Sequence, residues 1–319
     1  MADKQLTSNR DGFTSRWGFI LACIGSAVGM GNIWRFPIMV SVWGGMTFLI
    51  PYFICVLLIG STGVIGEFAL GRATGAGPIG AFGECTALRG NRKIGEGIGL
   101  IPVIGSMALA IGYTVVMGWI FKYTFISITG DMHAMGQDMA SIGGHFDVVA
   151  VNNVPCIIIA ILASFAIMAL GVSGGIEKAT RILIPLLFIL LVVVCIRSLT
   201  LPNAMEGLKF LFMPDFSRID GSVVLMAMGL AFFKMSIGFG CMITYGSYFR
   251  SDTHVPFLAV RVMVCDLLVS ILAGIAVFPA VFSFGFEPTA GTSLLFLTIP
   301  AVFASMPGGQ LFTTLFFVL

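Results

Sequence analysis

The chain has 319 residues, 58% of them hydrophobic and only 10% charged, with 40 glycines. A soluble domain devotes about a quarter of its residues to charge, and 17 basic with 15 acidic side chains cannot cover a soluble surface of this size. The mean hydropathy of +1.03 and the net charge of +2 exclude a soluble enzyme, a disordered tail and a nucleic-acid binder, which needs a basic footprint for phosphates. The composition is that of an all-α polytopic membrane protein.

A crossing needs about 20 mostly apolar residues. In chain order, 17–34, 36–66, 97–121 and 154–172 are uncharged, and 182–196 is a shorter run that continues past Arg197. The run 221–248 is interrupted by Lys234, and 255–286 by Arg261 and Asp266. A last run covers 311–319. These predict seven complete crossings and the opening of an eighth.

The polar N-terminus lacks the apolar core of a cleaved signal peptide. Lys4, Arg10 and Arg16 precede the first crossing, and Arg72, Arg89, Arg92 and Lys93 follow the second. Lys178, Arg181 and Arg250 lie on the same side, whereas segments 127–152 and 287–307 have no Lys or Arg. Lys209 and Arg218 in 199–221 are a mild exception. The bias predicts a cytoplasmic N-terminus in the cell membrane. Segment 127–152 reads as a solvated extracellular loop, because its histidines and acids match no metal spacing. Segment 287–307 is too short to cross and predicts a short helix over an outer vestibule. The seven cysteines form no CxxC pair and read as small packing residues.

Two crossings carry glycine clusters at mid-span. The first reads Gly25-Ser-Ala-Val-Gly29-Met-Gly31-Asn32, the sixth Lys234-Met-Ser236-Ile-Gly238-Phe-Gly240. Glycine weakens the helical ladder. Unwound backbone in lipid is tolerated only against protein or a watery cavity, where freed carbonyls hold a cation and freed amides an anion. Close helix packing through GxxxG is the plainer reading of one such cluster. Two clusters five crossings apart point instead to an inverted-repeat transporter with its site between the repeats.

The segments SRWGFILACIGSAVGMGNIWRFP, GGMTFLIPY, GEFALGR, GYTVVMGW, SGGIEKATRILIPLLF, FLFMPDFSRI and SIGFGCMITYGSYF resemble the neurotransmitter:sodium symporters, in their bacterial amino-acid branch. The resemblance covers nearly the whole chain. It implies the leucine-transporter-like inverted five-helix repeat as one transmembrane unit over 1–319. The first repeat would cover about 11–200, and an incomplete second repeat about 205–319. It also implies sodium-driven uptake of a small-molecule amino acid across the bilayer, with chloride left open. Position by position, Ala27, Asn32 and Asp266 match the first sodium site, and Gly25 and Val28 the second. Ser26, Ala27, Gly29, Gly31, Leu109, Tyr113, Phe233, Ser236 and Phe239 match the substrate pocket. Gly31 and Tyr113 are expected at the substrate carboxylate. Arg35 and Phe233 match the outer gate, Arg10 the inner gate, and Glu67 an acid packed near the sixth crossing. Gly29 stands where amine-transporting relatives carry an aspartate, so the pocket leaves room for the substrate's own carboxylate. Leu109, Phe233 and Phe239 make an apolar subsite, suited to an apolar or aromatic amino acid.

The sequence departs from the family at Lys234, which occupies the place of an oxygen ligand of the first sodium. An ammonium donates no oxygen and repels sodium. A mid-membrane lysine needs a partner, and Asp266 is expected to be that partner. Lys234 is then expected to replace the first sodium as a fixed charge, held by Asp266, Asn32 and the Ala27 carbonyl and within reach of the substrate carboxylate. Pairing with Glu67 as structural glue is the alternative. Ser270, one turn beyond Asp266, matches a position tied to chloride in animal members, and Ser26 replaces an asparagine. The chain ends inside the eighth crossing, so the sequence reads as a fragment or a truncated product lacking part of the second sodium site. A competing reading is a truncated or regulatory membrane protein that binds amino acid without moving it. An intramembrane enzyme gains no support, because no HExxH motif occurs and Glu67, Lys234 and Asp266 form no known catalytic constellation.

Overall fold

The computed structural model describes residues 13, 15–136, 138–249, 253–286, 291 and 294–319, and among these there is no strand. Five helices are long and apolar enough to cross a membrane, or six if the pair 141–151 and 154–169, bent by 70°, is one span. The chain is a multi-pass membrane protein.

The first crossing is broken. Helix α1 (Arg16–Ala27) starts at Ser15, whose hydroxyl accepts the Gly18 amide at 2.8 Å. The ladder stops at Val28, whose amide still reaches the Ile24 carbonyl at 2.7 Å. The Gly29 amide turns instead to the Asn32 side chain at 3.4 Å. A π-helical turn, Gly31–Arg35, then leads into α2 (Phe36–Val42). The uncharged run 36–66 therefore spans two elements. Its boundary is at Gly44 and Gly45, with φ of +86° and +62°. A side chain at Gly45 would strike the Phe210 carbonyl, so both its conformation and its neighbour require glycine.

The second crossing comprises α3 (Met46–Cys55), a π turn Val56–Gly60, and α4 (Ser61–Thr74). Pro51 removes an amide from the ladder, and Ser61 and Thr62 bond back to carbonyls four residues earlier. Such interruptions bend a helix. Helix α5 (Pro78–Ala87) packs against the start of α6 (Arg92–Thr129), which is 38 residues long. Segment 127–152 is not the expected loop: α6 runs into it, and α7 (Asp131–Ala134) and α8 (Met139–Val151) follow. The Asp138 carboxylate caps α8 through the Ser141 amide at 3.1 Å. Segment 287–307 carries the expected short helix, seen below as α15.

Helix α9 (Val154–Ala169), a π turn Val172–Ile176 and α10 (Glu177–Leu199) follow. After α11 (Ala204–Phe212), the sixth crossing is split into α12 (Gly221–Lys234) and α13 (Cys241–Gly246). Helix α14 (Val255–Phe284) runs through the centre and packs against α1, α4, α10 and α11. Its inward face, including Val262, Asp266, Ser270 and Gly274, is buried. Helices α15 (Leu294–Ala304) and α16 (Gly309–Val318) complete the described residues.

Candidate functional site between the two breaks

The breaks at 28–30 and 235–240 lie side by side, and the end of α12 brings Lys234 against α14. The Lys234 ammonium is 3.2 Å from Asp266 Oδ2, and both side chains are fully buried. It donates to the Tyr52 hydroxyl at 3.0 Å and to the Ser270 hydroxyl, and it lies 4.7 Å from the centre of the Phe36 ring. Asp266 also receives the Asn32 amide, at 2.8 Å to Oδ1 and 3.0 Å to its backbone oxygen. Ser270 donates to the Asp266 carbonyl at 2.6 Å. The three ammonium protons thus meet a carboxylate and two hydroxyls, with a ring face beside them. Such satisfaction is what a buried ion pair requires.

The expected partner of Lys234 is the one observed. Glu67 is not its partner: a Glu67 carboxylate oxygen accepts the Gly238 amide at 2.6 Å, in the sixth-crossing break. No contact joins Lys234 to the Ala27 carbonyl among the described residues; Tyr52 and Ser270 take those protons instead. Asn32 accepts the Gly29 amide at its oxygen and donates through its nitrogen to the Asp266 carboxylate. Tyr52 and Phe36 were not singled out by the sequence. A phenol inside an apolar run was the available signal, since a buried hydroxyl needs a partner.

The space beside this pair is aromatic. A methyl group built on Gly31 would lie 3.7 Å from both Lys234 Cγ and the Phe233 ring and 4.0 Å from the Tyr113 hydroxyl. Tyr113 and Phe233 stack at 6.3 Å, and Phe233 meets Phe239 edge-on at 6.5 Å. Leu109 lies one turn before Tyr113 on α6 and shares its face. The Arg35 guanidinium sits 4.6 Å over Phe233, and together with Phe239 they line a cavity of about 350 Å³. That cavity is also lined by Met226, Gly229 and Phe232 of α12 and not by Gly31 or Tyr113; the chamber is the space between Gly31, Tyr113 and the Phe233 ring, with Arg35 as a cation over that ring.

Ser236 occupies the left-handed region, with φ of +54°, and its hydroxyl bonds the Ser26 carbonyl at 3.4 Å across the two breaks. A non-glycine residue in that region is uncommon. The Ser26 hydroxyl turns back to the Cys23 carbonyl at 2.7 Å and does not point to the chamber. A methyl on Gly29 would meet nothing within 4 Å. Gly25, of the expected second sodium pair, lies against Ile184 and Thr180 of α10. Its carbonyl receives no bond from Gly29, whose amide is used by Asn32, and Val28 is buried beside it. Freed carbonyls of this kind suit a cation. Arg10 lies outside the described residues. At the N-terminal end of the chain's first crossing, the buried Glu177 carboxylate accepts both the amide and hydroxyl of Ser15, at 3.0 and 2.9 Å, a contact the sequence did not reveal.

Residues 171–175 read GVSGG and fit the GxSxG pattern of serine hydrolases. They form the π turn before α10, with no strand leading into it, so they do not build the strand-to-helix elbow which that chemistry needs.

The profile of the sodium:neurotransmitter symporter family matches residues 10–145 and 137–319. The sodium-dependent transporter YhdH of Bacillus subtilis is 35% identical over 94% of this chain and 66% of its own length. A sodium-dependent transporter of Haemophilus influenzae is 33% identical over 97% of this chain and 69% of its own. The crystal structure of MhsT in complex with L-phenylalanine superposes with a TM-score of 0.89 at 40% identity, covering 97% of this chain and 70% of that one. The chain thus spans about two thirds of the length of these relatives. Fold, breaks and sequence agree, and the chain belongs to the sodium:neurotransmitter symporter family.

Proposed function

We propose that this chain carries the core of a sodium-coupled symporter for an apolar or aromatic amino acid, with the Lys234 ammonium standing in for one of two sodium ions. The N-terminus faces the cytoplasm of the cell membrane in this reading, as the Lys and Arg distribution predicts. The crossings group into two inverted repeats, about 11–200 and 205–319, each opening with a broken crossing.

The observation that carries the proposal is the fully buried Lys234–Asp266 pair at 3.2 Å, whose lysine stem borders the Gly31, Tyr113 and Phe233 chamber. In the proposal the substrate carboxylate sits near Gly31 and the Tyr113 hydroxyl, and its side chain against Leu109, Phe233 and Phe239. That MhsT binds L-phenylalanine supports an aromatic substrate. The ammonium supplies a permanent positive charge beside the carboxylate, with its protons already spent on Asp266, Tyr52 and Ser270. A transported sodium then fits only the Gly25 and Val28 carbonyls. Arg35 over Phe233 closes the outer side.

Uptake of labelled phenylalanine into proteoliposomes across a sodium series tests this. A Hill coefficient is bounded by the number of coupled sites. Wild type is expected to give a value near one, and the Lys234→Thr, Asp266→Asn double variant a higher value. A wild-type value near two refutes the replacement. Binding without accumulation under a sodium gradient refutes transport and favours a binding-only protein.

A further inference from the structure

Arg261 lies inside a crossing, away from the chamber. Arg261 is in the second turn of α14, about 9 Å from its start at 1.5 Å per residue. Its side chain leans back toward that start, with the guanidinium 4.0 Å over the Phe257 ring. Among the described residues no carboxylate lies within ion-pair distance of it, and the side chain is exposed. An arginine on the outer surface of a crossing is costly unless its charge finds a partner at the membrane surface.

The surroundings describe that partner. Trp17, Ile20, Phe257 and Arg261 line a cavity of about 320 Å³ between α1 and α14. Trp17 is 70% exposed and Phe257 55%. A tryptophan beside an arginine stem, with apolar side chains deeper in, matches the boundary between lipid headgroups and tails. This is the end of the molecule that carries the N-terminus: Phe13 stacks on Tyr245, and Phe19 meets Phe249 edge-on. The groove thus joins one guanidinium, Arg261, to the apolar side chains of Trp17, Ile20 and Phe257.

We propose that this groove binds one anionic phospholipid. Its phosphate pairs with the Arg261 guanidinium, its glycerol region lies against the Trp17 indole, and an acyl chain follows Ile20. A guanidinium offers a planar fork that matches phosphate oxygens. The walls come from two elements, and α1 is separated from the rest of its crossing by the break at 28–30. The lipid thus bridges the N-terminal half of the first crossing to the central helix.

The test compares the purified protein in nanodiscs of phosphatidylcholine alone and of phosphatidylcholine mixed with phosphatidylglycerol, with lipid retention read by native mass spectrometry and stability by thermal melting. Wild type is expected to retain phosphatidylglycerol and to melt higher in the mixed discs. Arg261→Gln is expected to bind it about fivefold more weakly, from the usual contribution of one basic residue at a charged surface. Trp17→Ala is expected to weaken it as well, and Arg261→Lys to retain part of it. Inorganic phosphate added to phosphatidylcholine discs is expected to give no shift. Equal melting of wild type in the two kinds of disc overturns the proposal. So does equal retention by wild type and Arg261→Gln, or a shift with inorganic phosphate as large as with the lipid.

Discussion

The Lys234 ammonium and the Asp266 carboxylate face each other at 3.2 Å with no exposed surface on either side chain. Two charges so placed lose their water and regain only what their partners supply. Removing one member leaves the other buried and uncompensated, at a cost of about 3–5 kcal/mol. Lys234→Met or Asp266→Asn alone should therefore lower the melting temperature in detergent sharply. The double variant should recover most of the loss, because a matched neutral pair carries no desolvation penalty. A double variant no better than the sum of its singles would show that the pair is not coupled.

Tyr52 tests the same cluster from a third side. Its hydroxyl lies 3.0 Å from Lys234 and 3.5 Å from Asp266. Its ring stacks on Phe48 at 6.2 Å. Tyr52→Phe keeps the ring and deletes the hydroxyl, so the loss isolates one hydrogen-bond partner of a buried charge. The expected destabilisation is about 1–3 kcal/mol, read by melting. No change would mean that Asp266 and Ser270 alone satisfy the ammonium.

Gly31 separates binding from folding. A methyl there meets its neighbours at 3.7 to 4.0 Å, which is ordinary contact, so Gly31→Ala should melt like wild type. The same methyl takes space beside the Tyr113 hydroxyl that the proposal gives to the substrate carboxylate. Overpacking of about 1–3 kcal/mol predicts phenylalanine affinity weaker by about tenfold. Unchanged affinity would move the carboxylate away from Gly31.

Ser270 bears on chloride. Its hydroxyl proton goes to the Asp266 carbonyl at 2.6 Å, and its oxygen accepts from Lys234. With its donor spent, and a carboxylate beside the ammonium, the position offers little to an anion. Uptake should be the same in sodium chloride and sodium gluconate. A strong chloride requirement would point to an anion site elsewhere or to a rearranged Ser270.

Seven complete crossings were expected, whereas five helices, or six with the bent pair, are long and apolar enough among the described residues, because the sixth run is split into shorter pieces. Both breaks and the Lys234–Asp266 pair were legible in the sequence, because mid-span glycines and an intramembrane charge each have a direct physical meaning. The boundary between the first two crossings was not. Residues 36–66 are one uncharged run, and only the left-handed Gly44 and Gly45 divide it. Segment 127–152 looked like a loop because its polarity hides three helical pieces. Tyr52 and Glu177 were invisible as partners, since each meets a residue more than a hundred positions away, and no local pattern encodes such a meeting.

Glycines on α4 give a contrast that the sequence pattern alone does not provide. A side chain at Gly71 would strike the Ile243 carbonyl of α13, whereas one at Gly66 would meet nothing within 4 Å. A methyl on Gly246 of α13 would in turn lie 2.5 Å from the Phe68 carbonyl, so the two backbones touch through small residues on both sides. Separating them would also pull the Glu67 carboxylate, one turn before Gly71, away from the Gly238 amide that it holds at 2.6 Å. Gly71→Ala should therefore lower both the melting temperature and phenylalanine binding. Gly66→Ala should leave binding intact and raise stability by up to about 1 kcal/mol, the helix preference of alanine over glycine. If both variants melt alike, backbone contact between α4 and α13 does not hold the sixth-crossing break in place.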